Sequence, residues 1–385
     1  MIKPEIEDLI VKFVNNNATV EEKEALNEWV QISGNKKIFK KYVKNHYRIT
    51  YNSLDDSRLY KMRKQLLLEV GDEKKVKVYP FKSFVKYAAA VLLIGMLTTV
   101  YIYRDTIDNR TLTTASNTIQ PGTNKAILTL EDGSVVALER GDSYKTEKAE
   151  SNGSKIIYRK SINNKRVKTS YNYLTIPRGG EFFVELSDGT KVWLNSETQL
   201  KYPTNFVKGK DREVELVYGE AYFDVSPSTE HDGAKFRVIN SSQEVEVVGT
   251  QFNIKAYKDE SHVYTTLVEG KVNVKTEKGQ EVLKPNQQAI LLVGENKIRV
   301  KDVDVKPEIS WIKGEFSFKG KALVDIMKII SRWYDVDVVF ENKELEQIKF
   351  RGVIDKKQSI EEVLLIMKSR AINNYEIKNN TIILK

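Results

Sequence analysis

The 385-residue chain contains no cysteine. That excludes disulfide staples and thiolate metal sites. It leaves the compartment open, because larger domains hold together outside the cytosol without disulfides. Histidine is scarce as well. His46, His231 and His262 lie far apart, and none has the HExxH or HxH spacing of a metal centre or a histidine-base enzyme. No cofactor or metal is expected. The net charge of +9 is spread along the chain rather than gathered with aromatics into a patch, so direct nucleic-acid binding is not expected. A nucleophile motif is missing too: Ser187 lies in LSDGT, without GxSxG around it. The chain is therefore not expected to be an enzyme. Long hydrophobic runs are absent with one exception.

What is there reads as globular protein. Hydrophobic residues make up 41% and charged residues 30%, and the length exceeds one compact core, suggesting roughly two to four domains. The exception is Tyr87–Tyr103, YAAAVLLIGMLTTVYIY, bounded by Lys86 and Arg104. It has the length and purity of a short transmembrane helix, expected over residues 84–104. Tyr87, Tyr101 and Tyr103 stand where an aromatic belt would sit. The rival is a buried core helix; a signal peptide would have to start at the beginning of the chain. Lys61, Arg63, Lys64, Lys74, Lys75, Lys77, Lys82 and Lys86 precede the run, and only Arg104 and Arg110 closely follow it. The positive-inside rule then puts the N-terminus in the cytoplasm and the C-terminal part in the periplasm of a Gram-negative cell, with one pass through the inner membrane.

Residues 1–80 read as a small all-α bundle. Ile6, Leu9, Ile10 and Phe13 make one apolar stripe, and Leu26, Trp29 and Val30 another behind the capping-box pair Thr19/Glu22. Further helices are expected at about 35–50 and 56–70. Residues 110–300 change texture, to short alternating runs between Gly, Asp and Asn turns, and predict an all-β domain: a sandwich, a roll or a short solenoid. An internal repeat runs through it. TIQPGTNKAILTLEDGSVVAL (118–138) and TIPRGGEFFVELSDGTKVWL (175–194) share a T-I, a Gly loop, a strand and a D-G turn. Asp132-Gly133 and Asp188-Gly189 are hairpin signals; calcium binding or acid catalysis is the rival for the two aspartates. Residues 311–385 predict a separate α+β domain of βαβ-like units. Its helices carry Leu323, Ile326, Met327, Ile330 and Trp333, and SIEEVLLIMKSRA, with a hairpin turning at Asn379-Asn380. Trp193, Trp311 and Trp333 read as core, with sugar stacking as the rival.

GGEFFVELSDGTKVWLNSETQLKYPTNF, REVELVYGEAYFDV, VEVVGTQFNIKAY, TTLVEGKVNV and LKPNQQA, in this order and spacing, resemble the FecR family of transmembrane anti-sigma factors in its Bacteroidetes form. The last 75 residues resemble that form's C-terminal domain and the STN-like signalling domain of TonB-dependent receptors. The resemblance implies an extracytoplasmic-function (ECF) sigma factor as the cytoplasmic partner and a TonB-dependent outer-membrane receptor as the periplasmic one. Leu9, Phe13, Leu26, Trp29 and Val30 are then sigma-facing candidates, with packing inside the bundle as their equal rival. It also implies possible self-cleavage at Gly249-Thr250, since some members cut themselves in a VxGTxF context; the rival is a bulge in a strand pair. A periplasmic glycan-binding or envelope adaptor protein anchored in the inner membrane is the alternative function.

Overall fold

The computed structural model of the chain describes residues 4–14, 18–32, 34–40, 43, 119–159, 170–295, 297–368, 372 and 374–385. At the N-terminus, helices α1 (Pro4–Val14) and α2 (Val20–Gln31) form a short hairpin. Thr19 and Glu22 close a reciprocal cap: the Glu22 amide donates to the Thr19 hydroxyl, and the Thr19 amide donates to the Glu22 carboxylate at 2.9 Å. Lys12 of α1 reaches the same carboxylate at 2.6 Å and ties the two helices together. Ile10, Leu26, Val30 and Phe39 are the buried side chains here.

The strands begin with β1 (Thr123–Thr129), β2 (Val135–Glu139), β3 (Tyr144–Lys145), β4 (Ala149–Ser151), β5 (Lys155–Tyr158) and β6 (Tyr171–Ile176). They continue as β7 (Gly180–Glu185), β8 (Lys191–Leu194), β9 (Thr198–Pro203), β10 (Arg212–Asp224), β11 (Phe236–Asn240) and β12 (Gln243–Val247). The last of this body are β13 (Gln251–Ala256), β14 (His262–Glu269), β15 (Val272–Thr276), β16 (Gly279–Leu283), β17 (Gln287–Leu292) and β18 (Ile298–Asp302). Both copies of the repeat build the same hairpin. β1–β2 and β7–β8 turn at Asp132-Gly133 and Asp188-Gly189, with both glycines at positive φ and each aspartate accepting the amide two residues on.

The long strand β10 organises this body. Its first half pairs with β9 and β11, and its second half with β8 and β13. Two layers therefore share one strand. A bulge between Leu216 and Tyr218 lets it pass from one layer to the other. Gly219 follows at φ 101°, where a Cβ would lie 2.3 Å from the Thr198 hydroxyl, so the turn requires glycine. The order β1-β6-β9-β10-β8-β7 returns to β1 through the parallel β1–β7 pair and closes a six-strand barrel. Beyond the ring the layers extend as β11-β12-β15-β16 and β13-β14-β17-β18. Alternating side chains meet inside, among them Leu128, Leu174, Leu194, Phe236 and the stacked pair Phe223–Phe252, 5.0 Å apart.

The last segment holds β19 (Glu315–Ala322), α3 (Leu323–Tyr334), β20 (Asp337–Phe340), β21 (Lys349–Asp355), α4 (Ile360–Lys368), β22 (Tyr375–Lys378) and β23 (Thr381–Leu384). β19 pairs antiparallel with β21. β23 lies between β20, to which it is parallel, and β22. Asn379 and Asn380 both take positive φ at the β22–β23 turn.

These observations correct the expected fold class. The described residues are mostly β, 46% strand against 22% helix. In place of an all-α bundle, the N-terminal helices among the described residues are few and short: α1, α2 and a helical stretch at 35–40 share a small core of Ile10, Leu26, Val30 and Phe39. The β region is a closed barrel with two layered extensions, neither sandwich, roll nor solenoid, because a bulged strand belongs to both layers. Among its described residues the C-terminal segment has no βαβ unit, since the strands flanking each helix belong to different sheets. α4 buries Ile360, Val363, Leu364, Leu365, Ile366 and Met367, and a helix apolar nearly all round needs cover on more than one side. No helix among the described residues is long and apolar enough to cross a membrane. The run expected to do so, 84–104, lies outside the described residues, as does the helix expected at 56–70.

Candidate regulatory junction

Strand alternation that fills the barrel also fixes what the second layer shows on its other face. There Phe183 of β7 opposes Trp193 of β8, and Trp193 opposes Tyr222 of β10. Ring centroids lie 4.9 and 5.6 Å apart, both pairs edge-on, a favourable aromatic geometry. The C-terminal segment covers this row. Its hydrophobic core, built on α3 and α4, takes in Tyr222, Trp193, Val268 and also Ile119 from the stretch before β1. The Trp311 indole donates to the Asn253 side chain at 3.3 Å.

Three cations surround the apolar contact. Arg178, in the Gly loop between β6 and β7, donates to the Ser331 hydroxyl at 2.8 Å and to the Val336 carbonyl. It also pairs with Asp335 and Asp337, each at 3.3 Å. Arg332 of α3 points the other way, to Glu197 at 3.2 Å, Glu260 at 2.9 Å and Asp259 at 2.5 Å. Its guanidinium lies 3.6 Å from the Tyr257 ring centroid, a close cation–π contact. Lys356 pairs with Glu181 of β7 and lies 3.8 Å from the Trp333 ring centroid. Its side chain is 2% exposed.

The titratable groups respond to this setting. Burial pulls the Lys356 ammonium below its ordinary value, with Glu181 opposing. Burial also works to lower Arg332, but Tyr257, Glu260 and Asp259 outweigh it and the net shift is upward. Burial pushes Glu220 up against the pull of Lys255 and of the Asn253 and Asn195 amides that donate to it. Between them lies a cavity of about 50 Å³, lined by Glu220, Lys255, Trp311 and Arg332 among others. That is room for a few ordered waters, and far below the roughly 300 Å³ of a pocket for an organic ligand.

The sequence-predicted sites lie elsewhere. Gly249-Thr250 sits between β12 and β13, with Gly249 at φ 142° against Pro227. The Thr250 hydroxyl donates to the Lys271 carbonyl at 3.0 Å. Backbone amides of Val225 and Ser228 donate to the Thr250 and Val248 carbonyls on either side of the bond. Of the sigma-facing candidates, Leu26 and Val30 are buried, and Leu9, Phe13 and Trp29 are half-buried. The structure does not bring these two groups of residues together. Sequence reasoning missed the junction cations. Arg178 and Lys356 stand in loops whose composition signals solvent, and the faint signal was the density of Trp and Tyr in the segments they meet.

A barrel with a C-terminal unit docked on its outer layer is the context for comparison with known proteins. Residues 172–273 match the family described as FecR protein, and residues 315–384 match FecR, C-terminal. The chain belongs to the FecR family. Two crystal structures resemble this FecR chain, at 1.65 and 2.50 Å resolution, both described as a putative anti-sigma factor from Parabacteroides distasonis ATCC 8503. Each is 29% identical to it with a TM-score of 0.50; they cover 55% and 56% of this chain and 98% of their own length. No curated protein matches. The family and these structures point to a regulatory role rather than an enzymatic one. The family matches fall on the two parts that form the junction, the aromatic face and the unit that covers it.

Proposed function

We propose that the chain is a membrane-anchored regulator of an extracytoplasmic-function sigma factor. Residues 1–80 hold the sigma factor in the cytoplasm, residues 84–104 cross the inner membrane, and residues 110–300 and 311–385 stand in the periplasm. There they receive a signal from the signalling domain of a TonB-dependent outer-membrane receptor. The observation that carries this reading is the pairing of both FecR matches on one body whose solved likenesses are described as anti-sigma factors. Because Leu26 and Val30 are buried in the hairpin, Leu9, Phe13 and Trp29 are the first surface offered to the sigma factor, as in helix-groove recognition. Self-cleavage at Gly249-Thr250 is a second element of the proposal. It needs the Thr250 hydroxyl to leave the Lys271 carbonyl and approach that of Gly249.

Co-purification tests the reading. Full-length chain retaining an alternative sigma factor, and losing it in Trp29→Ala with helix content unchanged, supports it. Retention of no sigma factor overturns it and favours an envelope adaptor. Two bands from the expressed periplasmic part, merging into one in Thr250→Ala, support self-cleavage; a single band in both removes that element.

A further inference from the structure

Both copies of the repeat present their glycine loops to the same place, the C-terminal end of α3. In the first copy, Gly122 lies flat on the Trp333 ring: a Cβ there would approach ring atoms at 2.6–2.8 Å. Ile119, three residues earlier, is buried in the C-terminal core. In the second copy, Arg178 grips Ser331 and Val336, and the Gly179 amide donates to the Arg332 carbonyl at 2.7 Å. The Gly179 carbonyl in turn accepts from the Thr123 amide at 3.0 Å. A relay of backbone hydrogen bonds thus runs from α3, through the second loop, to the residue that starts β1. The position of α3 decides whether the stretch 119–123, by which the chain enters the barrel, is covered and tied.

We propose that the C-terminal unit is a releasable clamp on residues 119–123, latched by Arg178, Arg332 and Lys356. Its own core, with Leu323, Ile326, Ile330, Val363, Leu364 and Met367, is separate from that of the barrel, so it can leave as a body. It is held by the apolar contact with Ile119, Trp193, Tyr222 and Val268 and by the ring of charge around it. Asp335, Asp337 and Asp259 are each more than half exposed, so these carboxylates rehydrate at little cost once their cation withdraws. The buried cations Arg332 and Lys356 rehydrate only when the unit lifts as a whole. A contact of this mixed, partly polar kind between two separately packed cores favours relative motion. The clamp gives an external partner of the C-terminal unit a hold on the chain a short way in sequence after the apolar run at 87–103. It is independent of which sigma factor the N-terminal helices hold.

Because the chain has no cysteine, Ile119→Cys introduces a unique thiol as a reporter in the full-length protein. Maleimide labelling at this position is expected to be slow. Adding Arg332→Gln with Lys356→Gln should speed it by about tenfold, the signature of local opening. Gly122→Ala, which pushes on Trp333 and replaces no charged residue, should act in the same direction. A Leu174→Cys control in the barrel core should stay unlabelled throughout. Unchanged labelling at position 119 in these backgrounds overturns the clamp. So does labelling that rises equally at position 174, because the latches would then hold the whole fold and not a separable contact. Loss of sigma binding with these labelling results intact would defeat the functional reading and leave the clamp standing.

Discussion

The barrel interior and the junction are built by opposite means. Inside the barrel, neighbouring strands deliver alternate apolar side chains, and Phe223, Phe236 and Phe252 pack on one another at full burial. At the junction, a short aromatic row is ringed by Arg178, Arg332 and Lys356 with seven carboxylates within reach. Apolar burial is non-directional and stabilises in proportion to area. Paired charges lose much of what they gain to desolvation. They contribute geometry and reversibility more than strength. The difference teaches that one surface of this protein is made to stay closed and the other to be held in a specific place.

Four measurements break or sharpen this contrast. Phe223→Ala should be the most damaging, costing about 3–5 kcal/mol in denaturant unfolding, because the shared strand loses its stacked partner inside the barrel. Arg212→Met comes next. It strands Asp188, whose side chain is 2% exposed, and should cost about 3 kcal/mol; Asp188→Asn added to it should recover part of the loss. Arg332→Gln should cost only about 1–2 kcal/mol, because Lys255 still neutralises Glu260 at 2.6 Å and the other carboxylates face water. A loss as large as that of Phe223→Ala would erase the distinction drawn here. Smallest is the pH effect of Glu220. Its carboxyl is raised by burial, so its contribution to stability is complete below the ordinary carboxylate value and is lost as pH rises through the folded value. Melting temperatures between weakly acidic and neutral pH should therefore fall less in Glu220→Gln than in the parent. Equal slopes would mean that the carboxylate stays charged and satisfied.

Particular residues show how far the sequence could be read. The D-G turns, the capping box and the Asn379-Asn380 turn all appear where dipeptide chemistry places them, because each depends on a few adjacent backbone angles. The FecR segments were legible as a resemblance. Trp311 and Trp333 read as core and are buried, yet their partner Lys356, in the loop DKKQS, read as solvent. Asp188 read as a turn residue; it is one, and it also meets a buried arginine 24 positions away. No local pattern announces such a partner.

By itself the sequence determined the short-range elements: where strands alternate, where they turn, where a helix is capped, and that two stretches repeat. Those follow from steric and hydrogen-bond preferences within a few residues. Only the tertiary structure decided that β10 would serve two layers and close a barrel, that the C-terminal strands would divide between two sheets, and that both repeat loops would meet the end of one helix. Those depend on which distant faces must be covered from water, and on cations that find their carboxylates only after the chain has folded.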